Sequence, residues 1–255
     1  MPNIYVQQFI DVCGEWAMYA VVAEGLWRFF SDNPVLRGVS LAVEEGGVYG
    51  LIGPNGAGKT TMFRILATLL RPSRGTAKVF GKDVVREASD VRRMIAYLPE
   101  EAGVYKNLTG RGFLKMVSRV YGLGSSALEQ GVTISGLGED VDRRMGEYSK
   151  GMRRRILLAG CLMVKPRLAI LDEPTAGLDV EHSVYVRKII RQYAEQGTTF
   201  IVSSHNMLEV DYLCDRIALI HRGSIIAEGK PRELTASHNV QNLEELFVKK
   251  MGEAP

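Results

Sequence analysis

The sequence predicts an α/β fold with a mainly parallel sheet. Short apolar runs bounded by Gly, Pro or Asp recur along the chain, and several are rich in β-branched residues, as expected for strands buried on both faces. Helical patterns lie between these runs, and this alternation is typical of βαβ units. Residues 101–150 break the alternation, because they contain helical pieces and glycines without a strand pattern. We therefore expect a helical subdomain inserted into the α/β core.

The individual elements follow from these patterns. The predicted strands are 48–53, 94–99, 167–172, 198–205 and 216–221. The predicted helices are 60–70, 152–164, 181–196 and 207–214 in the core, and 108–123 and 126–134 in the inserted segment. Thr109 is the expected N-cap of the inserted segment, although Gly112 stands where a capping box has Glu or Gln. A C-terminal helix that packs on the core is predicted from an apolar face formed by Val240, Leu243, Leu246 and Phe247.

Composition favours a globular protein and limits the classes of partner. The chain has 255 residues, of which 46% are hydrophobic and 24% charged, so it can bury a substantial core. Its net charge of +3 is too small to indicate nucleic acid or a membrane surface by itself. The three cysteines, Cys13, Cys161 and Cys214, lack metal-ligand spacing and are odd in number, which favours a reducing cytosolic compartment.

Neither a membrane span nor a signal peptide is expected. The longest apolar stretches are broken by charged residues well short of the ~20 residues that cross a bilayer. The segment 1–15 has no basic start and contains Asp11 and Glu15, unlike a signal peptide. If the protein works at a membrane, another chain must supply the span.

The segment "GPNGAGKTT" has the pattern of a phosphate-binding loop. It follows a predicted strand and opens a predicted helix, where glycines let several backbone N–H groups point at one anion. Lys59 is expected to reach the terminal phosphates and the Thr60 hydroxyl to ligate Mg²⁺. The alternative is a glycine-rich turn with a surface lysine. The predicted phosphate-binding residues are Gly53, Pro54, Asn55, Gly56, Ala57, Gly58, Lys59, Thr60 and Thr61.

Two further strands are predicted to end in functional side chains. In "LAILDEP", Asp172 is placed to bind Mg²⁺, and Glu173 to orient or deprotonate a water that attacks the γ-phosphate. Without the phosphate-binding loop, the same pair would be read as charges at a helix start. His205 ends "TFIVSSH" at the same predicted sheet edge, where ligands bind in open α/β sheets. Its expected role is a hydrogen bond to the γ-phosphate or the water, whereas a lone histidine is ordinarily structural.

The basic run "EYSKGMRRR" (147–155) raises the question of nucleic-acid binding. On a helix, Arg153, Arg154 and Arg155 spread over ~200° of the circumference, so they cannot form one stripe along a phosphate backbone. We therefore expect no nucleic-acid partner, and predict the arginines to be mainly a solvated or interface-bracing flank. The preceding Ser-Lys-Gly turn is the form expected at an anion-binding helix start.

These motifs, in this order, resemble those of the nucleotide-binding subunit of ATP-binding-cassette (ABC) proteins, from about Met18 to the C-terminus. "GPNGAGKTT" is similar to Walker A, "LAILDEP" to Walker B, "AGLD" (176–179) to the D-loop and "SSH" to the switch-histidine segment. "YSKGM" (148–152) resembles the family signature. The resemblance implies one ABC ATPase domain over 1–255. Its P-loop NTPase core would take about 1–100 and 151–255, with an N-terminal antiparallel β part, and 101–150 would be the helical subdomain that ends at the signature.

The resemblance also implies roles for residues that the motifs alone do not assign. Phe30 falls where the family places an aromatic that stacks on adenine, although Phe29 and Trp27 compete and an ordinary core aromatic is the alternative. Glu100 replaces the family's glutamine, and a carboxylate there can bind Mg²⁺ or its water shell. Lys150 and Met152 replace the commonest Gly and Gln of the signature. This variant resembles that of single-cassette exporters.

In the family, two subunits dock head to tail and enclose ATP between the Walker A of one and the signature of the other. The resemblance therefore implies a second nucleotide-binding subunit, identical or related. Four signature residues would face that subunit's γ-phosphate, with Asp179 at the same interface: Ser149, Lys150, Gly151 and Met152. Whether Lys150 adds charge to the phosphate site or faces water is left open.

The implied function is ATP hydrolysis, with ATP and Mg²⁺, that drives transport through a separate membrane-spanning permease. Export is favoured over import on the signature variant. The permease would dock beside 100–108, with Glu101 and Tyr105 as contacts, and hold the subunit at the cytoplasmic face of the membrane. The alternative is a soluble ABC ATPase of the iron–sulfur assembly type. A GTPase or kinase is disfavoured because no Asn-Lys-x-Asp motif is present. The transported substrate and the role of 1–15 are not predicted.

Overall fold

The structure, a computed structural model, describes residues 19–253 as two β-sheets surrounded by helices. The strands are β1 (Tyr19–Phe30), β2 (Asn33–Glu44), β3 (Val48–Ile52), β4 (Arg74–Val79), β5 (Lys82–Asp83), β6 (Ile95–Leu98), β7 (Leu168–Leu171), β8 (Thr199–Ser204), β9 (Arg216–His221) and β10 (Ser224–Gly229). The α-helices are α1 (Lys59–Leu66), α2 (Ala88–Met94), α3 (Gly110–Val120), α4 (Ser125–Ser135), α5 (Lys150–Leu162), α6 (Val180–Glu195), α7 (Met207–Leu213), α8 (Pro231–Ser237) and α9 (Leu243–Glu253).

The larger sheet confirms the predicted parallel arrangement. Its strand order is β10-β9-β3-β8-β7-β6, and the neighbouring pairs from β9 to β6 are all parallel, while β10 pairs antiparallel with β9. Every residue of β3, β7 and β8 is buried, as the unbroken apolar runs indicate. Because β9, β3, β8, β7 and β6 run in the same direction, their carboxyl ends meet at one edge of the sheet.

The smaller sheet is the N-terminal antiparallel part that the family resemblance implies. Its order is β2-β1-β4-β5, with antiparallel pairing throughout. Leu26 and Leu36 of this sheet share a buried core cluster with Met62 and Phe63 of α1. The sheet therefore packs over the helix that follows the phosphate-binding loop, and it brings the end of β1 to the same side of the molecule.

The segment before α5 forms the predicted helical subdomain. It contains α3 and α4, and among its described residues only an isolated bridge joins Thr109 to Arg144 in β geometry. Thr109 caps α3 as predicted, since its Oγ1 accepts the backbone N–H of Gly112 at 3.0 Å. Leu114 of α3 and Ile156 of α5 are completely buried in the same core cluster. This packing fixes the N-terminal part of α5 against the helical subdomain.

The C-terminal helix packs on the core, as predicted. Leu243, Leu246 and Phe247 of α9 are buried, and the Phe247 ring meets His221 edge to face with ring centroids 6.0 Å apart. Val240 precedes the helix, so the prediction that it shares the helical face is wrong. It nevertheless packs against the same core.

Of the described cysteines, Cys161 and Cys214 are free thiols. Burial raises the pKa of Cys161 to about 12 and the pKa of Cys214 further above its usual value, so both are unreactive at neutral pH. Cys13 and the segment 1–15 lie outside the described residues. Within 19–253, no helix combines the length and the apolar character that a membrane span needs.

Candidate active site

Polar residues gather where neighbouring parallel strands end. Lys59 follows β3 through the glycine-rich loop, His205 directly follows β8, and Asp172 and Glu173 directly follow β7. In the sheet, β8 lies between β3 and β7. The strand order therefore brings together side chains that are far apart in the sequence, at the edge where open α/β sheets bind ligands.

The loop between β3 and α1 is pinned to the larger sheet. Gly53 N–H donates to the Ser204 carbonyl at 3.3 Å, and Gly223 N–H, in the β9–β10 turn, donates to the Ala57 carbonyl at 3.0 Å. Gly58 has φ +111°, and a β-carbon there would lie only 3.0 Å from the Val35 carbonyl oxygen, so glycine is required. The loop thereby delivers Lys59 at the first position of α1.

Lys59 is buried and turned back over its own loop. Its Nζ donates to the Gly53 carbonyl at 2.6 Å and lies 3.4 Å from the Pro54 carbonyl. The same Nζ lies 3.2 Å from Glu173 Oε1, an ion pair in which that oxygen has no hydrogen bond. The ammonium thus stands between the loop and the acidic end of β7.

Asp172 presents one unused oxygen to the site. The side chain is 1% exposed, and its Oδ1 accepts the Ser203 hydroxyl at 2.5 Å. Its Oδ2 is buried without a hydrogen-bond partner in the part of the chain that the structure describes. Such an orphaned carboxylate oxygen is costly unless a cation or water satisfies it, and hard cations such as Mg²⁺ prefer oxygen ligands.

The donor set fits Mg²⁺ rather than a metal held entirely by protein. Among residues 19–253 there is no group of three or more His, Cys, Asp or Glu side chains that could hold an ion. Mg²⁺ is usually bound through one or two carboxylates together with substrate phosphates and water. Asp172 and the half-buried Thr60, at the start of α1, match that requirement.

Glu173 is held between two cationic or titratable partners. Its Oε2 lies 2.9 Å from His205 Nδ1, while Oε1 faces Lys59. Its backbone has φ +48°, a left-handed conformation that is rare outside glycine, and its N–H donates to Ser203 Oγ at 2.8 Å. Strained backbone of this kind concentrates at functional sites. His205 itself is half exposed, so its second ring nitrogen can reach a ligand.

Glu100 lies at the same sheet edge but is exposed. The parallel register pairs Leu98 with Leu171, which places the residues after β6 beside those after β7. The exposed position leaves the Glu100 carboxylate free of the buried cluster. Glu100 thus follows the strand next to the one that ends just before Asp172, whose Oδ2 could bind a metal, but it does not contact Asp172 directly.

The start of α5 has the geometry of a capped helix. Ser149 is the N-cap, and its Oγ accepts the Met152 backbone N–H at 3.1 Å, so the hydroxyl proton stays available for a ligand. Gly151 is buried against the His182 ring, which occupies the space of any β-carbon at 151. Met152 is partly buried against the core.

The loop before α6 contacts this helix start. Asp179 caps α6, with Oδ1 2.9 Å from both the backbone nitrogen and Nδ1 of His182. The hydrogen bond from that backbone N–H lowers the pKa of Asp179 below its ordinary value. Lys150 Nζ lies where a side chain at Gly177 would stand, so the ammonium covers this loop. The residue itself is exposed.

Phe30 ends β1 with a largely exposed ring, 46% accessible. The Arg28 guanidinium lies 4.7 Å from its centroid. The competing aromatics are engaged elsewhere, because Trp27 and Phe29 stack on each other with centroids 5.7 Å apart. Of these three rings, Phe30 is therefore the most exposed, whereas Trp27 and Phe29 are partly buried.

Comparison with known proteins decides the family. The sequence profile described as "ABC transporter" matches residues 36–176, more than half of the chain. The chain belongs to the ABC transporter family. It is 43% identical over 222 residues to the daunorubicin/doxorubicin resistance ATP-binding protein DrrA of Streptomyces peucetius, covering 86% of this chain and 67% of that protein. It is 38% identical over 233 residues to the ABC transporter ATP-binding protein NatA of Bacillus subtilis, covering 88% and 95%.

Solved structures agree with this assignment. The ATP-binding subunit of an ABC transporter superposes with a TM-score of 0.83 at 26% identity, covering 91% of this chain and 99% of the other. The chain is therefore an ATP-binding and ATP-hydrolysing subunit of an ABC transporter with a P-loop NTPase fold. These relatives support the transporter prediction over the soluble assembly ATPase.

The three arginines in the first turns of α5, Arg153, Arg154 and Arg155, correct one prediction. They were expected to be a mainly solvated or interface-bracing flank, yet each is engaged within the chain. Arg153 donates to the Gly146 carbonyl at 3.1 Å, and Arg155 donates to the Ser135 carbonyl at 2.9 Å while its guanidinium covers the Tyr185 ring. Arg154 is buried. A helical wheel gives the directions of side chains but not the carbonyl groups that surrounding loops bring to them.

Ser203 is a site residue that the sequence predictions missed. Its Oγ donates to Asp172 and accepts from the Glu173 backbone, so one hydroxyl fixes both acidic residues. The available signal was a pair of serines, Ser203 and Ser204, between an apolar run and the predicted site histidine. Its contacts arise only because β8 lies beside β7.

We expect Ser203→Ala to lower ATP turnover by roughly 10-fold, because groups that orient metal ligands contribute about 10- to 100-fold to activity. Steady-state ATPase rates over a Mg²⁺ titration would measure it. Ser204→Ala is the matched control, since Ser204 Oγ bonds only to the Asn206 backbone. A Ser203→Ala variant with the rate and Mg²⁺ dependence of the parent protein would show that this hydroxyl does not orient Asp172.

Proposed function

We propose that Glu173 is the general base of ATP hydrolysis in this subunit. The observation that carries the proposal is the array at one sheet edge in which the buried Lys59 and Glu173 meet the exposed His205. Glu173 Oε2 would take a proton from the attacking water, and the exposed His205 would hydrogen-bond the water or the γ-phosphate. Lys59 would exchange its contact with Glu173 for the terminal phosphates, and the backbone N–H groups of 53–61 would bind the phosphate oxygens.

The same proposal assigns Mg²⁺ to Asp172 and Thr60, with Glu100 at the ion or its water shell. The orphaned Oδ2 of Asp172 supports this assignment. The ion would supply charge neutralisation of the phosphates during transfer. The protein's own part is to fix the oxygen ligand, which Ser203 does through the other carboxylate oxygen.

We further propose that the signature acts on ATP held by a second nucleotide-binding subunit. Ser149 would donate its hydroxyl, and Gly151 its N–H, to the γ-phosphate of the partner's ATP, aided by the positive end of α5. The acceptor role of Ser149 Oγ toward Met152 supports this, because it leaves the hydroxyl proton unused. Lys150 and Met152 would line the same contact, with Asp179 at its edge.

Adenine recognition falls to Phe30 in this proposal. The ring is accessible, and the two neighbouring aromatics, Trp27 and Phe29, stack on each other. Aromatic rings stack on bases with little dependence on base identity, so Phe30 would add affinity more than specificity. The whole chain would form one ABC ATPase domain, with about 1–100 and 151–255 as its core and 101–150 as its helical subdomain.

We propose export as the direction of transport, through a separate permease that holds this subunit at the cytoplasmic face of the membrane. Several relatives are named for drug resistance or export, including a daunorubicin/doxorubicin resistance protein and a Nod factor export protein. The permease contact would lie at 100–108, where Glu101 and Tyr105 are exposed. No nucleic-acid partner is proposed.

The transport function is tested by reconstituting this subunit with the membrane protein encoded beside its gene. We expect co-purification, an ATPase rate stimulated by that protein, and ATP-dependent efflux of daunorubicin, used as a probe, from proteoliposomes. Tyr105→Ala should weaken the stimulation, whereas Tyr121→Ala, an exposed aromatic at the end of α3, should not. Absence of both co-purification and stimulation would contradict the transporter assignment to that partner.

A further inference from the structure

Arg154 makes an unusual set of contacts for a residue of the signature helix. The side chain is 7% exposed, and its guanidinium binds only backbone carbonyls. Nη2 donates to the Asp172 carbonyl at 2.6 Å, Nε to the Pro174 carbonyl at 3.0 Å, and Nη1 to the Pro99 carbonyl at 2.7 Å. One planar group therefore ties α5 to the ends of β6 and β7.

Two of these carbonyls lie on either side of Glu173. Arg154 thus grips the backbone before and after the proposed base, while Ser203 Oγ accepts the N–H of Glu173 itself. The gripped residue is the one with φ +48°. A strained conformation of this kind persists only when its surroundings over-determine it. Arg154 and Ser203 together supply that constraint.

The third contact joins another part of the site. The Pro99 carbonyl immediately precedes Glu100, and the Glu100 carbonyl lies 3.4 Å from the same Nη1. The loop that contains Glu100, the proposed Mg²⁺ contact, is therefore bound to the same Arg154 guanidinium that holds the backbone around Glu173. Lysine could not reproduce this, because its ammonium is a compact point donor, whereas the guanidinium fork reaches several acceptors at once.

The guanidinium is charged despite its burial. Burial lowers the pKa of Arg154 to about 10, an effect opposed by the carboxylates of Asp172, Glu100 and Glu173. At neutral pH it therefore remains a cation, and charged donors make stronger hydrogen bonds to carbonyls than neutral ones.

We propose that Arg154 is a positioning residue for catalysis, which holds Glu173 in the left-handed conformation that directs its carboxylate to Lys59 and His205. The proposal rests on the function proposed above, in which Glu173 is the base. It goes beyond that function because it states that a residue of α5, the helix capped by Ser149, orients the base. A shift of that helix would then be transmitted to Glu173 through a single side chain.

The test compares Arg154→Lys and Arg154→Gln with Arg153→Gln, which loses one carbonyl contact outside the catalytic loops. We expect kcat to fall roughly 10- to 100-fold in both Arg154 variants, since misplacement of a reacting group by about 1 Å costs about 100-fold. The KM for ATP should stay within about 3-fold of the parent value, because the phosphate-binding loop is untouched. Arg153→Gln should keep the parent kcat.

Combination with Glu173→Gln separates this proposal from the one on which it rests. If Arg154 acts through Glu173, adding Arg154→Lys to Glu173→Gln should lower kcat no further, because residues that act as a unit are not additive. A Glu173→Gln variant with the parent kcat would overturn the role of the base itself. An inactive Glu173→Gln variant beside Arg154 variants of normal kcat would overturn only the role of Arg154.

Folding is checked on the same samples by far-UV circular dichroism and by stabilisation on adding ATP. Arg154 variants with the parent spectrum and ATP-induced stabilisation but a low kcat would support the proposal. If both variants lack a cooperative unfolding transition, Arg154 serves the fold rather than the base, and the proposal is overturned. A rise in the KM for ATP by the same factor as the fall in kcat would also contradict the proposal, because it would indicate general damage to the nucleotide site.

Discussion

Glu173→Gln is expected to bind ATP but to turn it over ~10²–10⁴ times more slowly than the parent protein. The amide keeps the size of the side chain and can still contact His205 Nδ1, which lies 2.9 Å from Glu173 Oε2. It cannot accept the proton of the attacking water. Single-turnover ATPase rates and nucleotide-binding titrations would separate these two effects.

In the proposed dimer, ATP is enclosed between two subunits, so the same variant, which retains ATP unhydrolysed, is expected to accumulate as an ATP-bound dimer. Size-exclusion chromatography with and without ATP would detect this population shift. Glu181→Gln is a suitable control, since Glu181 is an exposed carboxylate in the first turn of α6. Normal ATP hydrolysis by Glu173→Gln would rule out Glu173 as the base.

Asp172→Asn is expected to lower turnover by at least ~10²-fold at a fixed Mg²⁺ concentration. Metal assistance contributes several kcal/mol to such reactions, and each 1.36 kcal/mol is tenfold in rate. Asparagine preserves the volume and can retain the 2.5 Å contact to Ser203 Oγ. It removes the charge of the buried oxygen that has no partner. In a Mg²⁺ titration, the Asp172→Asn variant should therefore need a higher Mg²⁺ concentration than the parent protein to reach half of its maximal ATPase rate.

Asp211→Asn, an exposed position on α7, provides the matched control for this substitution. In the same titration, Glu100→Gln should give a smaller shift, because Glu100 is exposed and would contact the ion or its water shell from the neighbouring strand. An unchanged rate and an unchanged Mg²⁺ dependence would exclude Glu100 from the metal site. An unchanged Mg²⁺ dependence of Asp172→Asn would remove the principal proposed ligand.

The elements that could be predicted from the sequence are those fixed by local patterns. The buried strands are short apolar runs, and the residues that follow them fall at one edge because parallel strands align their ends. This is why Lys59, Asp172 and His205 were expected together. The capped start of α3 was likewise expected, since Thr109 bonds only a few residues ahead, and the Ser-Lys-Gly turn indicated that a helix starts nearby, although α5 begins at Lys150 and not at the predicted Met152.

The features that could not be predicted depend on contacts between distant segments. The left-handed φ of Glu173 is stabilised by Ser203 and Arg154, which belong to another strand and to the signature helix. Nothing in the local sequence "LDEP" specifies that conformation. The contact between His182 and Gly151 is of the same kind, because it depends on how α6 approaches α5.

Gly151 and His182 occupy one volume between them. The imidazole fills the space of any β-carbon at 151, so a larger residue there can be accommodated only if position 182 becomes smaller or its ring moves. The same ring is bonded to Asp179. A larger residue at 151 would therefore also displace the ring that contacts the N-cap of α6, so the two helix starts cannot change independently.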